Sequence, residues 1–392
     1  MKKYCAVERK GSSMKNVLFI RSNPVNPDSR VEKETACLSR AGYNVTIFGW
    51  DRSSTYSLQK RKLNAFGEII TIYRIGIKAG YGNGIKNIFN LIRFQAAIIR
   101  FLNTHKNIFD VIHACDFDTA VPSFFVTNKK NTRFVYDIFD FYVDSFAVPS
   151  VFKPLILAAD KHIINNSDAV IICTEQRKAQ IQNTNPKKVV VIHNSPPKLL
   201  HEGKIVNNSK IKIAYFGILS HGRLIEELLN VVANNNDLQL YIGGFGALED
   251  IVLEKSKSCS NIKYFGRIAY DRVLQIEQAV DLMTAIYDPQ IPNHRFAAPN
   301  KFYEALMLGK PLIMAKNTGM SEIVKDNEIG ALIDYSEIGL VHGIDELITK
   351  RGKWVNMSLK MKMLYENEYS WSVMENRLVT LYGELIKRPN TY

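Results

Sequence analysis

The residues best suited to chemistry lie between 292 and 322, in the run PNHRFAAPNKFYEALMLGKPLIMAKNTGMSE. Pro299 and Asn300 precede a helical segment that Gly309-Lys310-Pro311 stops. The first turn of a helix leaves N–H groups unpaired and carries partial positive charge. With the cation of Lys301 beside it, such a turn makes a seat for phosphate. Glu304, on the same turn, carries a carboxylate that can accept two hydrogen bonds from a ribose diol. The plainer alternative is that Glu304 compensates the helix dipole and Lys301 is solvated, and the local pattern leaves both open. Other nucleotide signatures are missing. The chain has no Walker A loop, Gly80-x-Gly82-x-Gly84 stands in the wrong context, and Gly243-Gly244-Phe245-Gly246 follows a strand without completing a dinucleotide fingerprint. A nicotinamide enzyme is therefore disfavoured.

The elements that must hold these residues are short apolar strands alternating with helices. Segments 15–21, 43–50, 69–75, 110–114, 134–138, 169–173 and 189–193 read as strands, with a helix over 30–41. Continuous Val/Ile runs between helices indicate parallel sheets covered on both faces. Asn194-Ser195-Pro196-Pro197 ends this series, and the polar stretch 198–209 reads as a linker. The alternation resumes at 211–216, 238–242, 262–265 and 282–287, then the helix 300–308 and the strand 311–315. Two such series imply two doubly wound α/β domains, 14–197 and 210–368, with ligands at strand carboxyl ends and in a cleft between them. The apolar helical segment 369–392 closes the chain, and residues 1–13 read as an extension ahead of Met14.

Composition narrows the class. The 392 residues are 46% hydrophobic and 23% charged, as in a soluble globular protein. Five scattered cysteines without a CxxC pair argue against disulfides and zinc. No apolar run is long enough to span a membrane, and the start has no secretory core. The net charge of +13 is lopsided: residues 1–200 carry +14 and residues 201–392 carry −1. An anionic partner is thus expected on the first half. Within it, segment 84–107 reads as an amphipathic helix. Lys86, Arg93 and Arg100 stand seven apart on one stripe, with Ile85, Ile88, Phe89, Ile92, Ala96 and Ile99 on an apolar face that Leu91, Phe94, Ile98 and Phe101 widen. It suits an anionic membrane surface, or is an ordinary domain helix. The basic stripe lacks the aromatic interleaving and recognition module of a nucleic-acid binder.

The chain resembles the retaining glycosyltransferases of family 4, from residue 14 nearly to the end. Lys301-Phe302-Tyr303-Glu304-Ala305-Leu306-Met307-Leu308-Gly309-Lys310-Pro311 is similar to the family's Glu-Ala-Met-Ala-x-Gly-x-Pro signature. Gly217 and Leu219 match its first C-terminal turn, 240–246 its Gly-x-Gly turn, and Tyr264-Phe265-Gly266 its base-side loop. The loop holding Asn23, Asp28, Ser29 and Arg30 resembles its acceptor-side start. The resemblance implies the GT-B architecture: two Rossmann-like domains and a last helix that returns to the first. It implies a nucleotide-sugar donor held by Gly217, Arg223, Gly244, Gly266, Arg295, Asn300, Lys301 and Glu304, with no metal and no other cofactor. It implies an acceptor, a glycan or a polyprenyl-phosphate-linked sugar, near Ser29, Arg30, Asp116 and Asp137, at the cytoplasmic membrane face. His113 matches the first histidine of the family's His-Ala-His-Asp pattern and joins Arg223 and Lys301 as a catalytic candidate; Cys115 replaces the second histidine.

Departures from the family pattern carry information. Its first glutamate falls at Phe296, and Ile218 replaces a basic residue. These changes keep in view a binding subunit without turnover; a nucleotide-sugar 2-epimerase or hydrolase of the same fold is the rival enzyme class. Asp116-Phe117-Asp118 also reads as the DxD metal motif of the other glycosyltransferase architecture, which two complete βα series fit poorly. Asp137, Asp140 and Asp144 form an acidic strand-end loop that binds acceptor hydroxyls or serves only local turns and caps.

Overall fold

A computed structural model describes residues 14–80, 87–127, 130–146, 148–198 and 210–387. The expected extension 1–13, most of the linker, Ile85 and Lys86 lie outside the described residues. The chain divides into two compact units. The first holds the described residues up to Ile172, Ile181–Val190 and those from Arg377 onward; the second holds Cys173–Gln180 and Val191–Asn376. The division therefore falls at Val190, ahead of the linker expected at 198–209. The last helix, Trp371–Lys387, changes unit along its own length.

The first unit is built on β1 (Asn16–Arg21), β2 (Asn44–Asp51), β3 (Tyr56–Ala65), β4 (Glu68–Gly76), β5 (Val111–Cys115), β6 (Arg133–Ile138), β7 (Ala169–Ile172) and β8 (Val189–Val191). Their order is β3-β4-β2-β1-β5-β6-β7-β8. Val17–Ile20, Ala169–Ile172 and most of β6 are buried on both faces, as parallel strands under helices require. β3 is the exception: it pairs antiparallel with β4 at the sheet's edge. Its sequence, YSLQKRKLNA, has no apolar run and is mostly exposed, so the search for buried strands passes over it. Lys60, Arg61 and Lys62 give this edge the charge that discourages pairing with another chain.

The helix Ile88–Thr104 packs on this sheet through Phe94, Ile98, Phe101 and Leu102. Phe94 stacks on Trp50 at 4.8 Å, and Phe101 meets Phe48 at 4.8 Å. The side expected to be its main apolar face points outward: Ile88, Phe89, Ile92 and Ile99 are all exposed.

The second unit carries β9 (Ile211–Ile218), β10 (Leu238–Phe245), β11 (Ile262–Tyr264), β12 (Leu282–Thr284), β13 (Leu312–Ala315) and β14 (Gly330–Ile333), ordered β11-β10-β9-β12-β13-β14 and parallel throughout. The sheet order reverses at β9, the position where doubly wound sheets bind ligands. One face buries Ile213, Leu240 and Ile242 beneath Leu228 and Leu340. The other packs Phe302, Leu306 and Met314 with Tyr365 and Tyr369.

Candidate active site

At the carboxyl ends of β9 and β10 the second unit opens a cavity of 420 Å³. Its floor is made by glycines. Gly217 and Gly244 face each other in register. A Cβ on Gly244, at φ +138°, would lie 1.7 Å from the Gly217 carbonyl oxygen, so no larger residue fits. A Cβ on Gly217 would lie 2.6 Å from the Lys301 ammonium. The bare backbone at Gly217 is what admits that side chain.

The helix Asn300–Leu308 starts where the sequence indicates, and no side chain caps its first turn. Its first residues point into the cavity: Asn300, Lys301 and Glu304 all line it. Lys301 is only 7% exposed, with its Nζ 4.6 Å from the centre of the Tyr215 ring. Burial disfavours its charge, but Tyr215, Tyr287 and Glu304 outweigh this and its pKa is raised, so it stays a cation at neutral pH. Arg223 also lines the cavity; its guanidinium lies 4.3 Å from the Tyr287 ring centre and its Nε donates to Ser220 Oγ at 3.2 Å. Glu304 is buried and accepts a hydrogen bond from the Tyr270 hydroxyl at 2.9 Å.

Of the residues expected to hold a donor, Gly217, Arg223, Gly244, Gly266, Asn300, Lys301 and Glu304 all line this cavity. Arg295 does not: it is exposed on the 3₁₀ turn Pro292–Phe296. Sequence reasoning missed Tyr270 and Glu277. They stand seven apart on the helix Tyr270–Gln278, hence on one face. Both Glu277 carboxylate oxygens are buried without a hydrogen-bond partner. Burial, and then the neighbouring Glu304, push its pKa well above the ordinary carboxyl range, while Lys301 opposes them. Glu277 is thus held toward its protonated form behind Glu304.

The first-unit candidates form a different kind of cluster. His113 leaves no exposed surface; it stacks on Phe19 with ring centres 4.0 Å apart. Its Nε2 lies 3.2 Å from Asp137 Oδ2 and its Nδ1 2.8 Å from the Tyr382 hydroxyl. A carboxylate only accepts, so Nε2 carries the hydrogen and Nδ1 accepts from Tyr382. Arg30 is buried too, 2.9 Å from Asp137 Oδ1 and 3.1 Å from Glu34 Oε1. Asp137 is held below the usual carboxylate range: burial works against this, and Arg30 and His113 overcome it. Glu34 is raised well above its usual value, by burial first. Arg30 and His113 thus favour Asp137 as the anion of this buried cluster.

His113, Arg30 and Asp137, expected at the substrate, have their polar atoms buried and facing one another in this structure. Of the acceptor candidates, Ser29 is exposed on the first turn of the helix Ser29–Arg40, and Asp116 is partly exposed. Asp116 forms an ion pair with Arg21, and its other oxygen accepts from the Phe139 and Asp140 amides at 2.9 and 3.3 Å. Its carboxylate is thus engaged without a metal. Glu34, His113 and Asp137 bring ligand atoms within 4.8 Å of one another, a spacing a metal could use, but the Arg30 guanidinium already supplies positive charge there.

Comparison with known proteins agrees with this architecture. Residues 30–195 match the family model "Glycosyltransferase Family 4", and residues 212–350 match "Glycosyl transferases group 1". The chain belongs to the family 4 glycosyltransferases. It is 22% identical over 200 residues to the Escherichia coli O-antigen biosynthesis glycosyltransferase WbnH, covering 50% of this chain and 55% of that protein. The chain thus spans about half the length of the curated relatives it matches. Among solved structures it is similar to a sucrose-phosphate synthase from Thermosynechococcus elongatus, with a TM-score of 0.71, 16% identity, and 95% and 99% of the two chains covered. It is also similar to Anabaena HepE in complex with UDP-glucose, with a TM-score of 0.67, 15% identity, and 94% and 99% covered. These likenesses fix the fold as GT-B, with two Rossmann-like α/β units.

Proposed function

We propose that the protein is a retaining glycosyltransferase. It moves a sugar from a nucleoside-diphosphate donor to a glycan or polyprenyl-phosphate-linked acceptor in cell-surface polysaccharide assembly. The observation that carries the reading is the second-unit cavity, where three cations (Arg223, Arg267 and Lys301), an uncapped helix start and a buried carboxylate line one space. Lys301, Arg223 and the helix N-terminus hold the diphosphate, and Glu304 accepts from the ribose hydroxyls. As the sugar–phosphate bond breaks, negative charge grows on the leaving diphosphate, and fixed cations in a partly desolvated site favour that change. Lys301 and Arg223 take the part that a metal plays elsewhere, so no metal is needed. The relation to an O-antigen glycosyltransferase and the likeness to a UDP-glucose-binding protein support the donor class and the pathway class.

The acceptor meets the enzyme at the cytoplasmic face of the membrane. No helix among the described residues is long and apolar enough to cross a bilayer, and the exposed Ile88, Phe89 and Ile92 suit a surface contact.

A thermal-shift series with uridine, guanosine and thymidine diphosphates tests the donor site; one of them should raise the melting temperature. Transfer from the matching nucleotide sugar should proceed in EDTA, and NMR should show the donor's anomeric configuration in the product. Inversion, or activity restored only by Mn²⁺, contradicts the mechanism. Nucleotide binding without turnover of any acceptor makes the chain a binding subunit, the reading that Phe296 and Ile218 favour.

A further inference from the structure

A second cavity, of 480 Å³, opens in the first unit between the helix Ile88–Thr104 and the outer strands β3 and β4. Two features set it apart from an ordinary surface furrow. Arg93 and Arg100, two turns apart on one stripe of the helix, both line it. Neither guanidinium has an ion-pair or hydrogen-bond partner among the described residues, and no acid lines the groove. The nearby Asp51 is engaged by Ser53 and by the Tyr56 hydroxyl at 2.9 Å. Between and opposite the arginines the wall is apolar, made by Ala96, Ala97, Ile75 and Ile77. A free sugar phosphate leaves such a wall bare, whereas an amphiphile with an anionic head satisfies both parts. A flat bilayer face meets convex apolar residues, such as Phe89 and Ile92 on the same helix; a groove admits one molecule at a time.

Topology places the groove on the sheet edge that also carries Asp116, an acceptor candidate. β4 runs parallel to β2, β2 to β1, and β1 to β5. The groove takes its strand residues from the end of β4 and the start of the antiparallel β3, the same edge of the sheet as Asp116, which follows β5. Three strand spacings, about 14 Å, separate β4 from β5. A diphosphate with a short glycan bridges that distance along the edge.

We infer that this groove holds the phosphate or diphosphate of a lipid-linked acceptor, with its charge on Arg93 and Arg100 and its first prenyl carbons on Ile75, Ile77, Ala96 and Ala97. The assignment rests on the lipid-linked reading of the acceptor proposed above.

The test is calorimetric titration with a ten-carbon prenyl diphosphate, with the donor site saturated by nucleoside diphosphate. Inorganic diphosphate and the bare prenol serve as separate probes. The prenyl diphosphate should bind at least tenfold more tightly than either. Arg93→Ala combined with Arg100→Ala should weaken it at least tenfold while nucleotide binding, which shows the variant is folded, stays as in the wild type. Equal binding by wild type and variant overturns the assignment. So does inorganic diphosphate binding as tightly as the prenyl compound, or a wild type that binds anionic phospholipid vesicles but not the probe. Kinetics separate this failure from that of the underlying reading. Equal KM for free and lipid-linked glycan refutes the lipid-linked acceptor itself. A lower KM for the lipid-linked form that persists in the double variant refutes only this groove.

Discussion

Replacing Lys301 by methionine removes a charge while keeping an unbranched side chain in a packed place. In the protein without ligand Lys301 is 7% exposed, and its ammonium lies beside Gly217, which has no Cβ, and the Tyr215 ring. Removing one charge of a buried group leaves its neighbours, here Glu304 and Glu277, without compensation, so the melting temperature should fall. Nucleotide binding should fall as well, in a way that depends on phosphate. A hydrogen bond to a charged group contributes about 1.5–3 kcal/mol, and about 1.4 kcal/mol is a factor of ten, so the Kd of the preferred nucleoside diphosphate should rise about 10- to 150-fold. The matching nucleoside, which has no phosphate, should bind Lys301→Met and wild type alike. Calorimetry on the pair of ligands reads both numbers. A Kd that is unchanged for the diphosphate, or that worsens equally for the nucleoside, refutes the claim that Lys301 addresses phosphate.

Other expectations follow from the same geometry. Gly244→Ala drives a methyl group into the Gly217 carbonyl and should abolish the nucleotide-induced thermal shift. Glu277 has a folded-state pKa above its unfolded value, so its contribution to stability is full at acid pH and is lost as pH rises through the folded pKa. Glu277→Gln should therefore melt higher than wild type at pH 8, by about 2–4 °C for each kcal/mol recovered, with the gap closing toward pH 4; a gap that does not change with pH removes the explanation. Tyr382→Phe leaves His113 Nδ1 buried without its donor and should cost about 1–3 kcal/mol in denaturant unfolding while nucleotide affinity is retained.

The parts of this molecule that were legible in advance are those whose cause is local. Pro299 at the start and Gly309-Lys310-Pro311 at the end frame the helix Asn300–Leu308, so its boundaries and its phosphate-binding start follow from a dozen residues. The apolar runs of β1, β5, β7 and β9 announce themselves in the same way. What escaped depends on partners far along the chain. The closure of His113 needs Tyr382, 269 residues away, and no feature near residue 113 signals it. Glu277 sits in an ordinary polar helix sequence, and only the packing of that helix against Asn300–Leu308 turns it into a buried acid. β3 was missed because edge strands carry charge instead of an apolar alternation.

The split membership of the helix Trp371–Lys387 has a consequence for synthesis. Tyr382, Glu384 and Leu385 bond to His113, Lys188 and Arg133, so the first unit is complete only when the end of the chain has been made. About 190 residues separate Val190 from Tyr382, which at about 5–20 residues per second leaves the early half waiting about 10–40 s on the ribosome. During that interval His113 and the cluster around it lack their capping tyrosine, and the surface that the last helix covers is open to chaperones. A nascent chain arrested before residue 377 should accordingly be captured by such factors, and one released past Lys387 should not. In this protein the tail is a late-arriving strut for the half that was made first.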